Sequence, residues 1–408
     1  MSTVGWILDH GMLAGDRPRG WFGSLCTALV FALLPRLDVA AEPASVHFAG
    51  FAYVGDDSAI ATSYPHTRVL EADREGDVSR LDAALRRHVD GLSNPSFTLS
   101  FGQLASLKAG NGSATVLAFA LDRESVSVEQ TGDGYKLLVE LSAQALFVDF
   151  REMAVVASYP VVVQAIDLKH SPPTPEQVRQ AVADLYLDEG KANVFAAFAA
   201  TLAGTNLNPS IERRVRVTSS SVADRPYAAM PSFAAVGPGV FEAALAQDFS
   251  KFLSVNQGIP VLPPSKGQAI GNRMSARFAD GTVYSLQIPE ADYAVSLRLE
   301  DLKRIEYGSS AAGRSLIYGA ILNVRVEEPL TGRVYFDARL RNGATKLVPA
   351  SQVSIDDAAA YQDALLALMD KFTAALAEPD PAWAEKHAGD RAVAKQMKEL
   401  QKVLQSCR

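Results

Sequence analysis

Residues 318–341 read YGAILNVRVEEPLTGRVYFDARLR, and this stretch decides the fold class. Tyr318, Ala320, Leu322, Val324 and Val326 fall on one side of an extended chain, with Asn323 and Arg325 on the other. After Glu328-Pro329-Leu330-Thr331-Gly332, the residues Val334, Phe336, Ala338 and Leu340 alternate with Arg333, Tyr335, Asp337, Arg339 and Arg341. Period-two alternation marks strands with one face on a core and one in water. The Pro- and Gly-containing connection has turn chemistry, so the pair reads as an antiparallel hairpin.

Working outward, the block ADYAVSLRLEDLKRIEYGSSAAGRSLIYGAILNVRVEE (291–328) has a partner in ATVLAFALDRESVSVEQTGDGYKLLVELSAQALFVDF (114–150). The separation from Thr115 to Val148 equals that from Tyr293 to Val326, and residue identity is slight, so the repeat is one of pattern. In the earlier block Leu137, Val139, Leu141, Ala143 and Ala145 face one way, and Glu140, Ser142 and Gln144 the other. Each block is followed by a short strand (Val155–Val163, Val334–Leu340) and a helix. Thr174 caps the first helix ahead of Pro175, while Ser354 and Asp356-Asp357 open the second along Tyr361, Leu365, Leu368, Phe372 and Leu376. Further amphipathic helices are expected at Val78–Leu92 and Val240–Leu253.

The expected fold is α+β: two similar small domains, each an antiparallel or mixed sheet with helices on one face, plus a C-terminal helical tail. The boundaries fall at 42–204, 205–378 and 379–408, with Gly204–Pro209 as the joint and Val261–Pro289 as an insertion in the second domain. In the tail, Val393, Met397, Leu400 and Leu404 form a narrow apolar stripe expected to dock on its own protein.

Residues 1–41 read as a secretory signal. From Met12, a plausible start, Arg17 and Arg19 precede the uncharged run Trp21–Pro35, and Val39-Ala40-Ala41 offers small side chains for cleavage near Ala41. The run is shorter than the ~20 residues a spanning helix needs. Cys26 is preceded by Leu25 and followed by more apolar sequence, which is not a lipid-attachment pattern. The expectation is a periplasmic protein, peripheral to the outer membrane at most, with no stable membrane span after signal removal. Cys407 is then the one remaining thiol, free or paired between chains. A formal charge of −7 argues against nucleic acid as a partner.

Several short motifs in Phe241–Glu378 resemble a known group. Ala291-Asp292-Tyr293-Ala294-Val295, the strand ILNVRVEE, Thr331-Gly332-Arg333-Val334 and the helix Tyr361–Leu376 are similar to the small periplasmic α/β domains of the TolB N-terminal part, the curli-export protein CsgG and flagellar FlgT-like proteins. The first half joins the resemblance only through the repeat. The chain departs from the curli-export pattern in lacking a lipobox and any clear membrane-inserting hairpin. What the resemblance implies is a scaffolding or interaction domain rather than a reaction.

No catalytic, cofactor or metal residues are legible. His47, His66, His88, His170 and His387 lack ligand spacing, there is no G-x-S-x-G elbow, and Gly267 and Gly271 beside Lys266 do not make a P-loop. Gly55-Asp56-Asp57-Ser58 follows a strand and reads as a turn, with Asp56 and Asp57 a weak cation site at most. Arg325, Arg333, Arg339 and Arg341 put a basic stripe on the outer face of an acidic protein: a solvated face, or a docking surface for an acidic partner. The function expected is non-catalytic assistance of envelope assembly, secretion or transport, with envelope proteins, an anionic envelope polymer or a second copy of the chain as partner. A periplasmic carrier of a small or lipidic ligand is the alternative.

Overall fold

The computed structural model describes residues 43–407 apart from 56, 58–59, 76–77, 103–114, 132–133, 208–212, 231–236, 265–272, 280 and 351–356. The signal segment, Asp56, Gly267, Gly271, Ser354 and Asp356 therefore lie outside the described residues. Glu42–Arg408 is one compact unit, and it holds two main sheets with helices packed against them, an α+β architecture.

The chain opens with β1 (Ala44–Val54), followed by α1 (Ile60–Ser63) and α2 (Pro65–Ala72). The two-residue pair β2 (Arg74–Glu75) and β3 (Val78–Ser79) leads to α3 (Arg80–Val89). Helix α3 starts later than the pattern from Val78 implied, because the Ser79 hydroxyl accepts from the Leu81 N–H and so fixes the N-cap there. Then come β4 (Phe97–Phe101), β5 (Thr115–Thr131), β6 (Gly134–Asp149) and β7 (Ala154–Lys169), and the helices α4 (Pro175–Leu187) and α5 (Val194–Gly204). The expected Thr174 cap of α4 is a full capping box with Gln177. Helix α5 is apolar all round, and its Phe195 and Phe198 are fully buried against Phe51 and Phe119.

The second half runs β8 (Val215–Val222), α6 (Asp224–Ala228), α7 (Pro238–Gln257), β9 (Arg273–Phe278) and β10 (Val283–Gln287). It continues with β11 (Tyr293–Ser310), β12 (Gly313–Glu328), β13 (Arg333–Pro349), α8 (Asp357–Ala375), α9 (Pro381–Ala388) and α10 (Val393–Gln405). The decisive hairpin is β12–β13, and the inward side chains from Tyr318 to Val326 are buried as the alternation requires. Val334 is not: a bulge between Val326 and Glu327 shifts the register, so Val334 turns outward while Phe336, Ala338 and Leu340 stay inside.

The first sheet has the order β4-β1-β5-β6-β7-β10-β9, and β9 pairs back onto β1. One end of the sheet thus closes into a ring of six strands. Small residues on the enclosed face, Ala52, Ala118, Ala120 and Ala276, let the walls approach, and Met274, Phe278 and Leu286 fill the space. Segment Val261–Pro289, expected as an insertion in the second half, supplies these closing strands to the first sheet. The opposite face packs on α3, α4 and α5.

The second sheet has the order β13-β12-β11-β8. Its run, a parallel pair (β8, β11) followed by two antiparallel strands, matches β1, β5, β6 and β7 in direction. The matching strands β5 and β11 both carry a bulge, at Asp122 and at Glu300, with the same spacing as Thr115 and Tyr293. What surrounds the run differs, since among the described residues the second sheet has no closing hairpin. Its apolar face carries α7 and α8, and α9 and α10 lie along β13, where Met397, Leu400 and Leu404 join the core. The tail therefore docks on its own protein.

The outward face of β6 was expected in water, yet Ser142 and Gln144 are buried. The reason is polar matching. Gln144 donates to Asp122 at 2.7 Å and accepts from the Ser158 hydroxyl at 2.6 Å, beneath α7. Arg123 on β5 reaches Glu140 at 2.6 Å and Asp248 of α7 at 3.2 Å, bridging the two layers.

Candidate functional site

The register of the second sheet creates a trough. Lys303, Gly319 and Gly343 form one cross-strand row, between the row Ile305, Ile317, Thr345 and the row Asp301, Ile321, Arg341. Two facing glycines leave the middle row without side chains over two strands. A Cβ on Gly343 would stand 3.1 Å from Ile317 Cγ2, so the isoleucine wall already occupies that flank.

At its outer end the trough meets the edge strand β13 and the helices that cover it. The Asp380 carboxylate caps α9 by accepting from the Ala382 and Trp383 N–H groups, and Gly389 ends that helix in the left-handed conformation. Lys386 and His387 occupy its last turn, where a helix favours cations. His387 Nδ1 donates to the Arg341 carbonyl oxygen at 3.0 Å, which fixes α9 on the strand edge. The Trp383 ring stacks on the imidazole at 4.6 Å. With Nδ1 carrying the proton, Nε2 is the ring atom left for another partner.

Asn342 lies one position off the trough row, so its side chain points to the other face, toward α8. Its Oδ1 accepts from Lys371 Nζ at 3.3 Å, while its buried Nδ2 has no partner. The cleft lined by these residues has a volume of about 480 Å³. It gathers Lys303, Arg339, Arg341, Lys371, Lys386 and His387 with no carboxylate among its lining residues, and Ile305, Ile317 and Ile321 form its apolar side.

Some of that charge is balanced next door. Lys303 is 3.5 Å from Asp301, and Arg339 is paired with Glu300. Arg341, Lys371 and Lys386 have no ion pair among the described residues. Burial holds the His387 imidazole below its ordinary pKa, and Lys386, Lys371 and Arg341 push the same way against the hydrogen bond to the Arg341 carbonyl. The site can attract an anion by charge, and its lining residues present no nucleophile–base pair.

The structure divides the four arginines singled out from the sequence. Arg339 and Arg341 line the cleft. Arg325 is clamped by Glu327 and Asp337, each at 2.8 Å. Arg333 lies over the Tyr335 ring at 4.6 Å, with Glu399 at 4.0 Å. Asp57 is exposed and 3.5 Å from Arg277. Among the described residues no three His, Cys, Asp or Glu side chains converge as a metal site would need, and no helix is long and apolar enough to cross a membrane. Lys303, Asn342, Lys371, Lys386 and His387 were missed as a group; the one local signal was the paired break in alternation at Gly319 and Gly343.

No family model and no curated protein matches this chain. Among solved structures, protein XCC0632 from Xanthomonas campestris, of the DUF330 family, is 15% identical. The match covers 41% of this chain and 87% of that one, with a TM-score of 0.21. At that score the likeness supports no inference about function.

Proposed function

We propose that this is a non-catalytic protein of the bacterial envelope, one that assists assembly, secretion or transport by holding an anionic partner on its second sheet. The observation that carries the reading is the cleft at the β13 edge, where Arg341, Lys371 and Lys386 stand without carboxylate partners among the described residues, in a protein of net charge −7. Uncompensated like charges repel one another and cost stability, so a counter-charge supplied from outside is favoured. The envelope location rests on the signal-like segment before Ala41 and on the resemblance to periplasmic interaction domains.

Polyglutamate is a suitable defined polyanion. Wild-type protein is expected to bind it at low salt, and Arg341→Glu with Lys386→Glu is expected to abolish binding. Unchanged binding by that double variant would refute the docking reading. For location, residues 1–41 fused to a reporter active only outside the cytoplasm should yield signal, and a silent fusion refutes export. The ligand-carrier reading has one observation in its favour: the cleft volume falls in the range of small-molecule sites. Native mass spectrometry of the freshly purified protein separates the two, since a carrier retains a bound small molecule.

A further inference from the structure

We infer that the outer edge of β7 pairs with the same edge of a second copy of the chain, antiparallel, across a two-fold axis at Leu168. This edge belongs to the first sheet, and nothing in its pairing depends on what the cleft of the second sheet holds.

Ring closure uses only the beginning of β7. Its outer side is bridged by β10 at Ala154, and the Ser158 carbonyl oxygen accepts from the Val261 N–H at 3.1 Å. From Tyr159 to Lys169 the strand pairs with β6 on one side and, among the described residues, has no backbone partner on the other. Ser158 also sets which groups are left over. Its carbonyl points away from β6, and backbone groups alternate in side along a strand. Val162, Gln164, Ile166 and Leu168 therefore turn both N–H and C=O outward. Pro160 falls in the same set, where its missing N–H costs the β6–β7 ladder nothing.

An open edge is ordinarily guarded by charge or covered by another element. On β13 the tail does this: Gln396 Oε1 accepts from the Asp337 N–H, and His387 donates to the Arg341 carbonyl. Strand β7 instead carries Ile166 and Leu168, 58% and 74% exposed, with half-buried Leu138 opposite Ile166 on β6. Apolar side chains beside unpaired backbone suit an added strand.

The charges select the occupant. Asp167 and Lys169 lie on the other face of β7, 2.6 Å apart in a neutral pair. Run antiparallel about Leu168, a second copy sets its Lys169 opposite Asp167 and its Asp167 opposite Lys169, in the closely spaced pairs of the ladder. Leu168 then meets Leu168 and Ile166 meets His170, with outward backbone groups facing one another. An axis at Asp167 would set carboxylate against carboxylate, and one at Ile166 would leave the two charges opposite Ala165 and Val163. Two copies of the β13 edge would instead gather Arg341, Lys371 and Lys386, a repulsive contact. The β7 edge is thus self-complementary, as a closed two-fold interface requires.

Sedimentation velocity of the full chain over a concentration series, with its cysteines kept reduced, is expected to show a monomer–dimer equilibrium. Leu168→Arg should weaken the dimer by at least about tenfold, because two arginines would then face each other. At so exposed a site the fold is left intact. Asp167→Lys alone and Lys169→Asp alone should each weaken it as well, by setting like charges opposite. The double exchange should restore it, since each pair re-forms with its signs reversed, and that rescue separates a contact between copies from a structural role within one. A monomer at every concentration overturns the inference; an edge that serves a strand of another protein would give that result. A dimer that Leu168→Arg leaves unchanged, or that Leu347→Arg on β13 dissolves instead, overturns it too.

Discussion

Asp248 of α7 stands 3.2 Å from the Arg123 guanidinium of β5, and this pair ties the helix layer of the second sheet to the strands of the first. Glu140 holds the same guanidinium at 2.6 Å from the neighbouring strand. All three side chains are mostly withdrawn from water, so removing one leaves charge poorly solvated. Arg123→Met is expected to lower the unfolding free energy by roughly 2 kcal/mol, between the exposed and fully buried cases. Urea denaturation reads the change, and an unaltered midpoint would show that the pair contributes nothing.

Gly313 sits at φ +152° at the β11–β12 turn, and a Cβ there would stand 2.3 Å from the Val348 carbonyl oxygen of the edge strand. Backbone on both sides leaves no flexible group to yield. Gly313→Ala is expected to cost about 2–3 kcal/mol through strain. Gly332, at φ +69° but in open space, serves as the comparison: Gly332→Ala should cost less, and equal losses at the two sites would contradict the steric account.

The tail helix contributes core. Met397, Leu400 and Leu404 are buried in the second sheet's cluster, and Gln396 Oε1 accepts from the Asp337 N–H on the strand edge. Met397→Ala should cost about 3 kcal/mol, as for other buried large-to-small changes. Deleting residues 379–408 should bare the β13 edge and promote association, seen by light scattering; a monomeric, equally stable truncation would rule this out.

Burial pushes the Cys407 thiol and the Tyr159 hydroxyl up to about 12, from ordinary values of 9.0 and 10.0. The folded chain keeps these protons where the unfolded chain loses them, so stability is complete below the ordinary values and declines as pH rises past them. Chemical denaturation across pH 9.0 to 10.0 and above should show that decline. The native thiol should also resist a disulfide reagent until the protein is unfolded. Prompt native reactivity would place Cys407 at the surface.

His387 has the opposite sign. Its folded pKa is lowered, chiefly by burial, so the unfolded chain binds its proton first. Its contribution is present above about 6.5 and is lost as pH falls below that value. The thermal midpoint should drop on acidification, and His387→Gln should flatten that slope.

How much of this could be read from residues alone depends on how local the cause is. Hairpin β12–β13 and the Thr174 cap were legible because alternation and capping act over a few positions. Arg273–Phe278 also alternates, with Met274, Ala276 and Phe278 inward, but nothing local says that its partner is β1 rather than a strand of its own half. Ser142 and Gln144 look like a wet face because their partners, Asp122 and Ser158, are found only across the sheet. The cleft was half visible in Arg339 and Arg341. The rest of it depends on where α8 and α9 come to lie, which brings Lys371 and His387 to a strand far from them in sequence. The bulge beside Val334 was invisible for the same reason, since it belongs to a pairing and not to a strand.

The pairing of Ala52 with Phe278 also has a consequence in time. More than half the chain separates these residues, so the amino-terminal sheet must wait with an open edge until the hairpin β9–β10 has been made. Such a fold cannot be completed piecemeal from its amino terminus, and its loop closure is long-range and slow. If this chain crosses a membrane unfolded, that delay is useful: the first sheet stays threadable until more than half of the chain has passed.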